Sequence, residues 1–103
     1  MELRAWRLII RIKKSDQLRG NSIEEILLDF LRANRVWGAT VWVGVDGFGK
    51  RRKAVRKVEG ITFDCPLVIE AIDEKERLEP LLIEIRQIVG DNGLVTLQEV
   101  GII

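Results

Sequence analysis

The chain has 103 residues, which suits one domain over residues 1–103 with a single hydrophobic core. Seventeen lysines and arginines stand against sixteen aspartates and glutamates, and the net charge of +1 offers no overall field to attract nucleic acid or an anionic membrane. Histidine is absent and Cys65 is the one cysteine. These counts disfavour catalytic triads, transition-metal sites and an internal disulfide.

Other features of the composition indicate where the chain works. No apolar run approaches the roughly 20 residues of a membrane span, and the first residues lack the layout of a signal peptide. We therefore expect a cytoplasmic protein. Cys65 precedes Pro66 in an apolar setting, which favours a buried, inert thiol over a nucleophile.

The first predicted element is a strand over residues 3–13, where apolar and polar side chains alternate. One face would carry Trp6, Leu8, Ile10 and Ile12, and the other Arg7, Ile9 and Arg11. A polar connection over residues 14–21 follows. The spacing of Ser22 and Glu25 is that of a capping box, and apolar residues then recur at helical spacing. The pattern predicts a first helix that continues until Gly38.

The second strand is predicted over residues 39–45, and it runs directly into glycines and cations. The loop reads Gly47, Phe48, Gly49, Lys50, Arg51, Arg52 and Lys53. Glycines leave backbone N–H groups accessible, and guanidinium groups bind phosphate or carboxylate through paired hydrogen bonds. This stretch is our first candidate for an anion site. The alternative is a solvated edge that prevents aggregation between sheets.

The second half of the chain is predicted to contain further strands and a second helix. Residues 52–63 suggest an antiparallel return strand, and residues 67–72 an apolar central strand. Asp73 and Glu76 are spaced as a helix cap, and a second amphipathic helix over residues 78–89 should kink at Pro80. A last strand is expected over residues 94–103, with a turn near Glu99.

This order of elements predicts an α+β fold, the ferredoxin-like βαββαβ arrangement, with two helices covering one face of an antiparallel sheet. Trp42 and Ile9 would then lie on the uncovered face. Sheets that pack face to face would bury these residues, and we therefore expect a homo-oligomer. The alternative is that single apolar side chains are tolerated on the surface.

Three other chemistries fit the sequence less well. An RNA-recognition motif would need further aromatic residues after Gly49, where Lys50 stands, so no nucleic-acid partner is expected. A phosphate-binding P-loop would need a hydroxyl at Arg51. The carboxylates available for catalysis each have a turn, cap or surface explanation, and we predict no enzyme. They are Asp46, Asp64, Glu70, Asp73 and Asp91.

Four sequence features in this order resemble the PII-like signalling proteins, in particular a branch of short PII-like proteins of bacteria and archaea. They are Gly38-x-Thr40-Val41, Gly47-Phe48-Gly49-Lys50, Phe63-Asp64-x-Pro66 and Gly90-Asp91-x-Gly93. The resemblance implies a ferredoxin-like subunit in a trimer whose sheets pack inward. It also implies a mobile loop that contacts partner proteins, and small effectors bound in clefts between subunits.

The resemblance assigns roles to two loops. Gly47, Phe48, Gly49 and Lys50 would form the base of the mobile loop, and a second loop facing a nucleotide phosphate would consist of Gly90, Asp91, Asn92 and Gly93. Nucleotide-binding members carry a lysine directly after the second loop, where this chain has Leu94. The cations of residues 50–53 could supply that charge from the other side of the cleft.

We therefore predict a signalling protein that binds a small anionic effector, such as a nucleotide, and signals by ordering the loop over residues 47–57. The alternative is an interaction module whose basic loop docks on an acidic protein or a membrane transporter without a small ligand. Reversing the charges of Arg51 and Arg52 separates the two, because only the first function would lose small-ligand binding.

Overall fold

The computed structural model describes residues 3–49, 52–54, 57–58, 61–62 and 64–103. Its centre is a four-stranded sheet in which every neighbouring pair is antiparallel. The strands are β1 (Leu3–Lys13), β4 (Ala39–Val43), β9 (Pro66–Asp73) and β10 (Leu94–Ile102). Their order across the sheet is β10, β1, β9, β4, which is the order of the ferredoxin-like fold. The α+β prediction is confirmed.

Alternation along the strands gives the sheet two different faces. In β9 every second residue is buried, and the buried set faces the helices. The strand residues of this core are Leu8, Ile10, Ile12, Leu67, Ile69 and Ala71. We call the opposite face, which carries Arg7, Ile9, Trp42 and Glu70, the open face. The predicted division of β1 into two faces is thus correct.

The first helix, α1, spans Ile23–Ala33 and begins after a short hairpin of β2 (Gln17–Leu18) and β3 (Asn21–Ser22). The backbone N–H of Glu25 donates to the Ser22 hydroxyl at 3.3 Å, as the capping pattern predicts. The helix ends at Ala33 and is capped by Asn34, earlier than Gly38. Arg35 then adopts a left-handed φ of +58°, which turns the chain towards β4.

The second helical segment is divided in three by Pro80. It consists of α2 (Lys75–Leu78), a 3-10 turn (Glu79–Leu81) and α3 (Leu82–Val89). Pro80 lies in the 3-10 turn, where its missing N–H and fixed φ interrupt the α-helical pattern. Buried residues from each α-helix complete the core, among them Leu27, Leu78 and Ile85.

Three further predictions differ from the structure. Residues 52–63 do not form one return strand, because β5 (Gly47–Gly49) pairs with β6 (Arg52–Ala54), and β7 (Lys57–Val58) with β8 (Ile61–Thr62). The turn expected near Glu99 is absent, since β10 pairs with β1 without interruption. Asp73 does not cap α2, because that position belongs to Glu74. None of the described helices is long and apolar enough to cross a membrane.

Candidate functional site

The first candidate loop leaves the sheet after β4 and forms a narrow hairpin. Gly47, Phe48 and Gly49 lie opposite Ala54, Lys53 and Arg52 in the β5 and β6 pair. The side chain of Phe48 is 86% exposed. Lys50 and Arg51 lie outside the described residues. The hairpin thus places the backbone of Arg52 and Lys53 beside that of Gly49 and Phe48, which are also predicted site residues.

Pro66 fixes the base of this loop. The backbone N–H of Gly44 donates to the Pro66 carbonyl oxygen at 2.7 Å. A Cβ atom at Gly44 would lie 2.8 Å from Pro66 Cγ, so only glycine allows this approach. Two residues before Phe48, the Asp46 carboxylate accepts from the Gly47 N–H at 2.9 Å. These contacts set where the loop leaves the sheet.

The second candidate loop is a tight turn between α3 and β10. Gly90, Asp91 and Asn92 form a 3-10 turn, and Gly90 has a left-handed φ of +56°. A Cβ atom at Gly93 would lie only 1.9 Å from the carbonyl oxygen of Arg11, so the backbone of this loop lies directly against β1. The Asp91 side chain is exposed. The end of the second loop therefore lies in close backbone contact with β1.

Both loops lie at the same end of the sheet but at opposite edges. The first rests on Pro66 at the start of β9, and the second on Arg11 near the end of β1. β1 and β9 separate the edge strands that carry the loops, and three strand spacings amount to about 14 Å. One chain therefore does not bring the two sets of candidate residues together, whereas the edges of two neighbouring chains could.

The sequence patterns miss a polar cluster on the open face. Arg7 Nη2 donates to Gln98 Oε1 at 2.6 Å, and Arg7 Nη1 lies 3.8 Å from Glu70 Oε2. Alternation in β1 and the apolar surroundings of Glu70 place both charges on one face, but they do not reveal the strand order that brings the charges together.

A second missed group surrounds Asp73, whose side chain is fully buried. Its carboxylate accepts from the N–H groups of Trp37 at 3.2 Å and Glu74 at 2.7 Å, and from Arg77 Nε at 2.9 Å. Arg77 also donates to the Arg35 carbonyl oxygen. Since all of these partners belong to the fold, the group fastens the segment before β4 to the end of β9.

Comparison with known proteins places the chain in a family. The profile of the DUF190 family, described as "Uncharacterized ACR", matches residues 5–102. The chain belongs to the DUF190 family. A UPF0166 protein of Aquifex aeolicus is 31% identical over 97 residues, covering 93% of this chain and 90% of the relative. A UPF0166 protein of Methanocaldococcus jannaschii is 25% identical over 94% of this chain and 90% of its own length.

Solved structures with the same fold belong to CPII, a nitrogen regulatory PII-like protein from Thiomonas intermedia K12. CPII bound to ADP, AMP and bicarbonate has a TM-score of 0.79 and 18% identity, over 99% of this chain and 91% of CPII. The apo form has a TM-score of 0.70 at 18% identity, over 99% of this chain and 95% of that one. The predicted PII-like fold of this DUF190 protein is confirmed.

Proposed function

We infer that this DUF190 protein is a non-enzymatic regulator that binds a small anionic effector, a nucleotide in our proposal, in clefts between the subunits of a homotrimer. Signalling would follow from ordering of the loop over residues 47–57. The observation that best supports this proposal is that the two glycine loops lie at the same end of the sheet but at opposite edges. A ring of subunits would bring the first loop of one chain beside the second loop of the next.

The chemistry of the loops supports an anionic ligand. Six lysines and arginines occur within residues 50–57. Cations close to accessible backbone N–H groups favour phosphate. The likeness to CPII, which was solved with ADP and AMP, makes adenine nucleotides the first ligands to test. Nucleotide-binding PII-like proteins have a lysine where this chain has Leu94. The cations of residues 50–53 would then supply the positive charge of that lysine.

Assembly through the open face supports the trimer. Large apolar side chains remain partly or wholly exposed there, and Trp42 is 59% exposed. The apolar residues of this face are Ile9, Trp42, Val68, Ile72, Leu94 and Val100. Exposed apolar side chains around the polar cluster of this face favour association with further copies, as do the edge strands β4 and β10 of the described sheet.

The test is calorimetric titration of the purified protein in the cytoplasmic pH range with ADP, AMP, ATP and cyclic nucleotides. We expect micromolar binding by at least one of these. Double replacement of Arg51→Glu and Arg52→Glu should abolish it, because two cations that neutralise phosphate become anions. The matched control is Arg4→Glu with Arg32→Glu, which changes the net charge equally at the start of β1 and in the last turn of α1.

The second candidate function, docking of the basic loop on an acidic partner such as a membrane transporter, is favoured by the same six cations. Under it, the assembled wild-type protein would bind no nucleotide in the panel. The Arg51 and Arg52 double variant would instead fail to capture a partner that the control variant still captures. Equal nucleotide binding by wild type and by the Arg51 and Arg52 variant would contradict the role given to the loop.

A further inference from the structure

Arg11 lies near the end of β1, at the end of the sheet that carries both glycine loops. A Cβ atom at Gly93 would lie 1.9 Å from the Arg11 carbonyl oxygen, so the end of the second loop rests on the backbone of this arginine. Leu94, the first residue of β10, is the cross-strand partner of Arg11. The two side chains therefore start beside each other on the open face, about 5 Å apart.

The side chain of Arg11 is exposed, and it forms no ion pair or hydrogen bond with the residues that the structure describes. The four described strands place one carboxylate on the open face, Glu70, and its Oε2 lies 3.8 Å from Arg7 Nη1. At the end of β1, Lys13 Nζ lies 3.6 Å from Asp64 Oδ2. Arg11 is therefore the surplus positive charge of this face.

The strand neighbours of Arg11 offer it no anion. Ile9 lies two positions earlier on the same face of β1, Val68 faces Arg11 from β9, and Leu94 faces it from β10. Charges attract each other more strongly where apolar groups replace water around them. In the proposed trimer, packing of the chains would remove water from this face, and a guanidinium group without an anion would become costly. The arrangement thus calls for an anion beside Arg11.

We propose that Arg11 binds the phosphate group of the effector beside the second glycine loop, as the cation that the chain carrying this loop contributes to the site. The inference rests on the proposed function, since the phosphate belongs to the nucleotide in the cleft. A guanidinium group binds phosphate through paired hydrogen bonds and keeps its charge at every physiological pH. The cations of residues 50–53 would reach the same ligand from the neighbouring chain.

The closing experiment is calorimetric titration of the full-length protein with ADP, ATP and inorganic pyrophosphate. Arg11→Gln removes the charge and keeps a polar side chain, and it should weaken the binding of each of these probes about tenfold or more. The matched control is Arg4→Gln, which removes the same charge near the start of β1, at the opposite end of the strand. This control should bind the probes as wild type does.

A second variant returns the charge from the neighbouring strand. Leu94→Lys combined with Arg11→Gln places a cation one strand spacing away on the same face. It should recover at least about threefold of the lost affinity, because an ammonium group also binds phosphate, as a point charge. A substitution that acts only by disturbing the fold would not be rescued in this way. Light scattering checks that each variant keeps the mass of wild type.

Four results would overturn the inference: wild-type binding by Arg11→Gln, an equal loss by Arg4→Gln, no recovery in the Leu94→Lys double variant, or a change of mass in Arg11→Gln. The last would show that Arg11 meets a carboxylate of another chain. Nucleotide binding that does not depend on Arg11 refutes this contact and leaves the proposed effector function intact. Pyrophosphate binding that depends on Arg11, without nucleotide binding, supports the contact and refutes the nucleotide as effector. A wild type that binds none of the probes refutes both.

Discussion

Three donors surround the Asp73 carboxylate, from which solvent is excluded, and they come from two separate parts of the chain. Trp37 precedes β4, Glu74 opens α2, and Arg77 comes from one turn further on. A buried carboxylate is stable only when such donors surround it. Asp73 is therefore a structural carboxylate, and its hydrogen bonds join the end of β9 to the segment before β4 and to the start of α2.

Replacing Asp73→Asn should lower the free energy of unfolding by about 1.5–3 kcal/mol, because the charged hydrogen bond from Arg77 is lost and an amide N–H₂ group faces other donors. The matched control is Asp29→Asn, which breaks the exposed Asp29 and Arg32 pair at 3.1 Å and should change stability by less than about 0.5 kcal/mol. Urea unfolding measures both, and equal effects would contradict the structural role of Asp73.

At the scale of elements, the second glycine loop depends on contact between backbones. Gly93→Ala would force a Cβ atom against the Arg11 carbonyl, which cannot swing aside as a side chain would. We expect this variant to lose about 1–3 kcal/mol of stability and to displace the start of β10.

Gly38→Ala is the control for this prediction, since a Cβ atom there meets nothing within 4 Å. Its stability should stay within about 0.5 kcal/mol of wild type. Chemical denaturation gives the free energy of unfolding of both variants, and amide hydrogen exchange of β10 reports whether the start of that strand has moved. A Gly93→Ala protein as stable as Gly38→Ala would show that the loop shifts without cost.

The elements with clear periodicity were predictable from the sequence. The alternation in β1 gave its two faces, and Ser22 gave the start of α1, because both signals come from residues close in the chain. Residues 52–63 were not predictable, since their charges provide no apolar pattern to choose between one strand and two hairpins. The role of Asp73 was missed because its donor Trp37 lies 36 positions away.

The candidate site was predictable only in part. Glycine and charge patterns located the first loop, and the resemblance to PII-like proteins pointed to the second. The structure shows why Gly44, Gly90 and Gly93 are glycines. The distance between the two loops could not be predicted from these residues, because it depends on the strand order of the whole sheet. The binding roles of residues 47–53 and 90–93 stay predictions.

At the scale of the whole molecule, two exposed apolar residues distinguish the faces that could support assembly. Trp42 lies on the open face, and Ile83, which is 74% exposed, lies on α3. Trp42→Asp should dissociate the oligomer and keep the fold, because it places a charge within the apolar contact. Ile83→Asp should leave the mass unchanged.

Light scattering at several concentrations gives the masses of both variants, and circular dichroism checks that each is folded. Dissociation by Ile83→Asp alone would place the interface on the helical side of the sheet. That outcome would contradict assembly through the open face, and with it the trimer in the arrangement we propose.

The opposite-edge placement of the two glycine loops also has a genetic consequence. Each binding site of the proposed trimer takes the first loop from one chain and the second loop from its neighbour. A mutation in the first loop and a mutation in the second loop therefore damage different halves of the site. Two alleles that are each inactive alone would then complement when expressed together, and random mixing would leave about a quarter of the sites with both halves sound.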